Sequence, residues 1–293
     1  MGWFGWFGGR SNRGGAADAN LDQSTSLPDI AERNPLDVWH FVTCRAFDAI
    51  TLAPIANPAT ILDVACGTGL WPREIARLYP LARVVGFDQN LQQIDRALEE
   101  GAWRGDDLPP ANCHFERVDA LAAWPYGDGA FEYTHARFIS PFVPVSQFGA
   151  LLAEMVRVTR PGGWVEIVDA AQFTSHDPAR QFLLQCLRQL YERNGLALEP
   201  GPTLARLLRQ AELQRVHSRS ATITTSTTGD DASWRVANDL VAGMLDAAPQ
   251  YQEMGIASEN QLARAAQQIA SAAADATFRI ELTTAWGRRE PPS

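Results

Sequence analysis

The chain has 293 residues, 46% of them hydrophobic, enough to bury the core of one large α/β domain or two small ones. A net charge of −9 at pH 7 and a pI near 5.1 argue against non-specific binding to nucleic acid or an anionic membrane. All 25 basic residues are arginine, which excludes Schiff-base chemistry, the Walker lysine of P-loop NTPases and the strand lysine of protein kinases.

Cys44, Cys66, Cys113 and Cys186 are dispersed and form no C-x-x-C pair, as small apolar residues of a reducing compartment would. Apolar runs fall short of the ~18 residues that a membrane span needs. A cytoplasmic location and no membrane partner are therefore expected.

Residues 1–30 open on W-F-G-W-F-G-G and read as a mobile tail. The sharper alternative docks Trp3, Phe4, Trp6 and Phe7 on another subunit or over the active site, which would make the chain a homo-oligomer. Asn34-Pro35 then supplies an N-cap and a first-turn proline. Leu36, Trp39, Val42, Ala46, Phe47 and Ile50 recur at helical spacing, so residues 35–50 read as an amphipathic helix. Asp37, His40 and Arg45 lie mostly off its apolar stripe.

The stretch from Thr60 to Asn90 carries the strongest signal. Ile61, Leu62 and Val64 form a short apolar strand, and Gly67 and Gly69 mark a tight turn that lets a ligand approach the backbone. Pro72 sits early in the following helix, and Arg83 to Phe87 form a second strand that delivers Asp88. An acid at that point binds the hydroxyls of a ribose. A dinucleotide fingerprint needs a third small residue where Trp71 and Pro72 stand. Asp63, just ahead of the turn, would repel a pyrophosphate and accept from an ammonium. That charge logic favours a nucleoside cofactor with an amino-acid end.

Asp63-Val64-Ala65-Cys66-Gly67-Thr68-Gly69 resembles motif I of the class I S-adenosylmethionine-dependent methyltransferases, D/E-x-G-x-G-x-G, with Ala65 in place of the first glycine. The resemblance implies that Asp63, Ala65, Gly67, Thr68, Gly69, Asp88 and Gln89 bind S-adenosyl-L-methionine. It also implies that the helix over 31–56 covers the cofactor, so His40 would touch the methionine end or the substrate. Asn112 to Val118 reads as the third strand. Asp119 stands where the family accepts from the adenine amino group, and Ala120 offers a backbone N–H.

Trp124 to Glu132 is similar to the family's L-P-F-x-D-x-x-F-D run. The fourth strand is expected over Phe131 to Thr134, with His135, Ala136 and Arg137 just past its carboxyl end, where ligands bind in open α/β sheets. His135 is the leading candidate for a general base and for cofactor contact, because imidazole titrates near neutrality. Arg137 would orient an acidic acceptor or the cofactor's carboxylate. Phe148 to Thr159 reads as a helix, Arg160-Pro161-Gly162-Gly163 as a sharp turn similar to the family's L-K-P-G-G, and Trp164 to Asp169 as strand five. Asp169 is the next catalytic candidate.

Helices are expected over 178–194, 202–212 and 234–245, a Thr-rich strand over 214–228, and a helix through 274 opened by the capping box Ser258-Glu259-Asn260-Gln261. Thr277 to Trp286 alternates as a last, antiparallel strand. The fold expected is a Rossmann-like α/β domain over 57–293 with a seven-stranded, mostly parallel sheet and helices on both faces. Its cofactor half spans 57–170; the helical insertions and last two strands, 171–288, are expected to build the acceptor pocket. From about residue 35 to 170 the chain also looks like the LaeA-like and natural-product methyltransferases. That resemblance implies methyl transfer to a small molecule of secondary metabolism; metal-ligand spacing does not stand out, so no metal is expected. A protein methyltransferase or a LaeA-like regulator is the alternative, and an NAD-linked oxidoreductase the remote one.

Overall fold

The computed structural model describes residues 34–99, 109–225, 231–271 and 277–291. The aromatic N-terminal tail lies outside them, as do the 101–108 loop and the expected ends of the Thr-rich strand and of the helix through 274. Asn34 caps the first helix, α1 (Pro35–Phe47), by accepting from the Leu36 N–H at 3.0 Å, and Asp48 ends it in the left-handed region.

The strands are β1 (Thr60–Val64), β2 (Arg83–Asp88), β3 (Cys113–Arg117), β4 (Phe131–Arg137), β5 (Thr159–Ser175), β6 (Gln214–Thr224) and β7 (Phe278–Arg288). They form one sheet in the order β3-β2-β1-β4-β5-β7-β6. The first five are parallel, and β7 runs antiparallel to both β5 and β6. Helices α2 (Leu70–Leu78), α3 (Leu91–Leu98), α4 (Phe148–Val158), α5 (Pro178–Arg193) and α6 (Gly201–Gln210) precede β6 or connect the parallel strands. Between β6 and β7 come α7 (Asp231–Asp246), α8 (Ala248–Glu253) and α9 (Glu259–Ser271). This is the Rossmann-like sheet expected. The short α8 went unforeseen.

Two strand boundaries differ from expectation, and both move functional residues. β4 continues to Arg137 because its neighbours extend beside it: His135 pairs with Asp63 on β1 and with Glu166 on β5. Residues 160–163 lie within β5 as a bulge, since Phe131 pairs with Thr159 and Tyr133 with Trp164.

Three apolar clusters fill the layers. Trp71, Ile75 and Ala76 of α2 pack on Ile61, Val84 and Tyr133 on one face of the sheet. Leu151, Leu152 and Met155 of α4 and Leu204 and Leu208 of α6 cover Leu62, Val64 and Val85 on the other. The third cluster joins Val38, Trp39 and Val42 of α1 to α5, α7 and the outer strands, so α1 is held by the C-terminal helices. Among the described residues no helix is long and apolar enough to cross a membrane.

Candidate functional site

A cavity of about 300 Å³ opens at the carboxyl ends of β1, β2, β3 and β4, where a parallel sheet leaves its ligand crevice. Its walls come from Leu36, Trp39 and His40 of α1, the turn after β1, Asp88 to Asn90 after β2, Val118 to Leu121 after β3, and Arg137 to Val143. None of the described lining residues lies beyond Val143. Of the helices expected to form the acceptor pocket, α5 and α7 pack against α1 and hold that wall from outside, while α6 packs on Leu62, Val64 and Val85.

The turn after β1 is built by backbone geometry. Ala65, Gly67 and Gly69 have φ of 54°, 56° and 75°, all in the left-handed region. The Cys66 N–H extends the ladder to the Phe87 carbonyl at 2.8 Å. Gly67 donates its N–H to Asp88 Oδ2 at 3.0 Å, and Asn90 donates to Oδ1 at 2.9 Å. A carboxylate offers about four lone-pair sites, so Asp88 keeps acceptor capacity toward the cavity. Burial pushes its pKa above the usual carboxylate value. The Thr68 hydroxyl donates to Asp37 Oδ1 at 2.5 Å, which clips α1 to the turn.

Gly69 does not line the cavity. A Cβ there would stand 2.6 Å from the Phe115 ring and 2.7 Å from Ala97, so its smallness serves helix–strand packing and not the cofactor contact expected of it. Asp63, Ala65, Gly67, Thr68, Asp88, Gln89, Asp119 and Ala120 all line the cavity, with His40 and Arg137. Asp119 is fixed by the Leu121 N–H donating to Oδ1 at 2.9 Å.

His40 and Asp37 are buried rather than off the packed side of their helix, because the turn and α2 cover that flank. His40 Nε2 lies 3.0 Å from Glu74 Oε2. Burial first, then the Arg137 charge, lowers the His40 pKa, so the ring is neutral at physiological pH. A neutral imidazole beside a carboxylate donates from Nε2; this tautomer is assigned from the hydrogen-bond network.

His135 and Asp169 were expected at the chemistry, and neither lines the cavity. His135 is wholly buried, its Nδ1 2.8 Å from Asp63 Oδ1 and its ring stacked on Trp71 at 3.8 Å. It points into the sheet face because β4 continues past it. Asp169 is buried under the Ser140 loop, accepting from the Ser140 N–H and hydroxyl at 3.1 and 2.8 Å and from the Ala170 N–H at 2.8 Å. Burial lifts its pKa to about 7. It shapes the 138–143 wall from behind.

Sequence reasoning missed Gln93, a buried α3 residue on the cavity wall, and the apolar wall of Phe138, Ile139, Phe142 and Val143. Gln93 lies five residues after Asp88, on the inward face of the next helix, which was the available signal.

The donor set fits S-adenosylmethionine. Three carboxylates, Asp63, Asp88 and Asp119, and one guanidinium, Arg137, line the cavity. Such a site suits a ligand with cationic centres and sugar hydroxyls and opposes a pyrophosphate.

Residues 61–163 match the family described as "Methyltransferase domain". The methyltransferase str3 of Strobilurus tenacellus is 28% identical over 149 residues, covering 49% of this chain and 47% of that protein. The secondary metabolism regulator laeA of Monascus pilosus is 28% identical over 191 residues, covering 61% of this chain and 48% of that protein. The methyltransferase pytC of Aspergillus terreus is 27% identical over 193 residues, covering 62% of this chain and 55% of that protein. The chain thus spans about half the length of these relatives. Among solved structures, the YcgJ protein of Bacillus subtilis superposes with a TM-score of 0.53 at 14% identity, covering 83% of this chain and 97% of that one, which speaks to fold alone. Strand order and cavity agree with the family match, in which residues 61–163 are similar to a methyltransferase domain.

Proposed function

We propose that the chain transfers the methyl group of S-adenosylmethionine to a small apolar acceptor, an intermediate of secondary metabolism. The observation that carries this reading is the mixed lining of the cavity, which joins the charged Asp63, Asp88, Asp119 and Arg137 to the apolar Phe138, Ile139, Phe142 and Val143. When bound, the cofactor supplies an electrophilic methyl group on a sulfonium.

The protein's task is to hold an acceptor in line with that methyl group and to keep water out. Asp88 accepts from the ribose hydroxyls, Asp119 and the Ala120 N–H hold the base, and Gln89 lines the ribose side. Asp63 receives the ammonium, and Arg137, with His40 beside it, receives the carboxylate or an acidic group of the acceptor. Phe142, more than a third exposed, is part of that apolar lining. Several relatives are named regulators of secondary metabolism, which favours a second reading in which the acceptor is a protein.

Calorimetry with S-adenosylhomocysteine and with NAD tests the cofactor, and the mass shift of candidate metabolites incubated with S-adenosylmethionine tests the acceptor. Binding of S-adenosylhomocysteine and gain of one methyl group on an apolar metabolite are expected. Affinity for NAD alone would overturn the reading, and methylation confined to a protein would favour the second.

A further inference from the structure

His135 does not line the cavity, yet it makes a direct polar contact to a residue that does. Asp63 and His135 are register partners on adjacent parallel strands, so their side chains leave the same face of the sheet. His135 Nδ1 lies 2.8 Å from Asp63 Oδ1. The imidazole is held flat by the Trp71 indole, 3.8 Å away and 8° from parallel. Trp71 is itself fixed by its Nε1–H, which donates to the Ile50 carbonyl at 2.9 Å. A fully buried ring clamped this way has one orientation.

An ionised Asp63 only accepts, so Nδ1 carries the proton and Nε2 the lone pair. Nε2 is buried without a hydrogen-bond partner among the described residues. Asp63 is therefore the acceptor of the pair. Its Oδ1 is occupied by His135, and its Oδ2 takes no hydrogen bond from the described residues.

From this geometry, and resting on the cofactor reading above, we propose that His135 is a positioning residue for the amino-acid end of the cofactor. It fixes the Asp63 carboxylate with Oδ2 available to the ammonium group, and it takes no proton from the methyl acceptor.

The test compares two probes by calorimetry. S-adenosylhomocysteine carries the amino-acid end, and 5′-methylthioadenosine lacks it. His135→Phe keeps a flat ring against Trp71 and removes the donor, whereas His135→Asn restores an N–H near the Nδ1 position. His135→Phe should weaken S-adenosylhomocysteine about tenfold, the scale of one hydrogen bond to a charged group, and leave 5′-methylthioadenosine within about twofold. His135→Asn should recover most of the loss. Equal weakening of both probes, or unchanged S-adenosylhomocysteine affinity, would overturn the proposal, as would failure of His135→Asn to recover the loss. If His135→Phe does not fold, His135→Gln, whose amide reaches toward the Nε2 position instead, takes its place with the same expected selectivity. Failure of the unsubstituted protein to bind either probe would instead strike the cofactor reading.

Discussion

Two sets of buried polar groups share one face of the sheet and are built to opposite ends. Glu166 is saturated: it accepts from the Thr51 hydroxyl at 2.8 Å, the Leu52 N–H at 3.0 Å, the Ala53 N–H at 2.7 Å and the Tyr133 hydroxyl at 3.0 Å. With the Trp71–Ile50 bond, these contacts sew residues 50–53 onto the sheet. Two and three strands away, Asp63 and Asp88 are held by one or two donors each and open on the cavity. A saturated carboxylate contributes to stability, and one with spare acceptors is kept for a ligand. Counting donors separates the two where residue type does not.

The strongest way to break that comparison is to exchange the consequences. Glu166→Ala strands buried donors and should cost roughly 3–5 kcal/mol, seen as a drop of roughly 8–15 °C in melting temperature. S-adenosylhomocysteine affinity measured well below that temperature should not change. Asp88→Asn should do the reverse. Because burial already disfavours the charged form of Asp88, a neutral amide should leave stability unchanged or raise it. Losing the charged acceptor should weaken S-adenosylhomocysteine about 10- to 100-fold by calorimetry. An affinity loss in Glu166→Ala as large as that in Asp88→Asn would dissolve the distinction.

The cofactor half was legible because its information is local. Asp63, Gly67, Asp88 and Asp119 each end a strand or occupy the turn that follows, and a strand–turn–helix reads directly from apolar runs and glycines. What stayed hidden depends on register. Asp63 and His135 are 72 positions apart, and nothing in the periodicity of either strand says that they sit side by side. The same blindness put His135 past the end of β4, and it left Glu166 an unremarked strand residue although residues 51–53 close on it. The helices over 178–271 were read correctly as helices, but amphipathic spacing shows that a face is covered and not by what, so it did not show which of them pack on α1.

Asp169 sharpens the comparison through pH. It too accepts several hydrogen bonds, from the Ser140 N–H and hydroxyl and the Ala170 N–H, yet burial outweighs them and holds its pKa at about 7, against 3.8 for a free group. Between those values the folded chain keeps a proton that the unfolded chain has released. The stability from this group is therefore full below about pH 4 and declines as pH rises to 7. Asp169→Asn cannot ionise and removes that decline. Melting curves from pH 5 to pH 8 should show the variant gaining on the unsubstituted protein with rising pH, by on the order of 2 kcal/mol. A constant offset between the two curves would mean that Asp169 is ionised throughout.

The smallest effect falls on the boundary between the two kinds of region, at Ala65. Its φ of 54° is a conformation that costs a residue with a Cβ about 1–2 kcal/mol and a glycine almost nothing. Ala65 is held there by its neighbours: the Cys66 N–H is committed to the Phe87 carbonyl and the Gly67 N–H to Asp88. Ala65→Gly relieves the strain but adds freedom to the unfolded chain, which cancels about 0.4–1 kcal/mol of the gain. A net stabilisation of about 0.5 kcal/mol is expected, a rise of one or two degrees in melting temperature. Affinity for S-adenosylhomocysteine should stay within about twofold, because the turn's shape is set by bonds that glycine leaves in place. A clear loss of affinity would show instead that the Ala65 methyl group is part of the cavity wall and packs on the ligand, and the strain would then serve binding and not merely be tolerated.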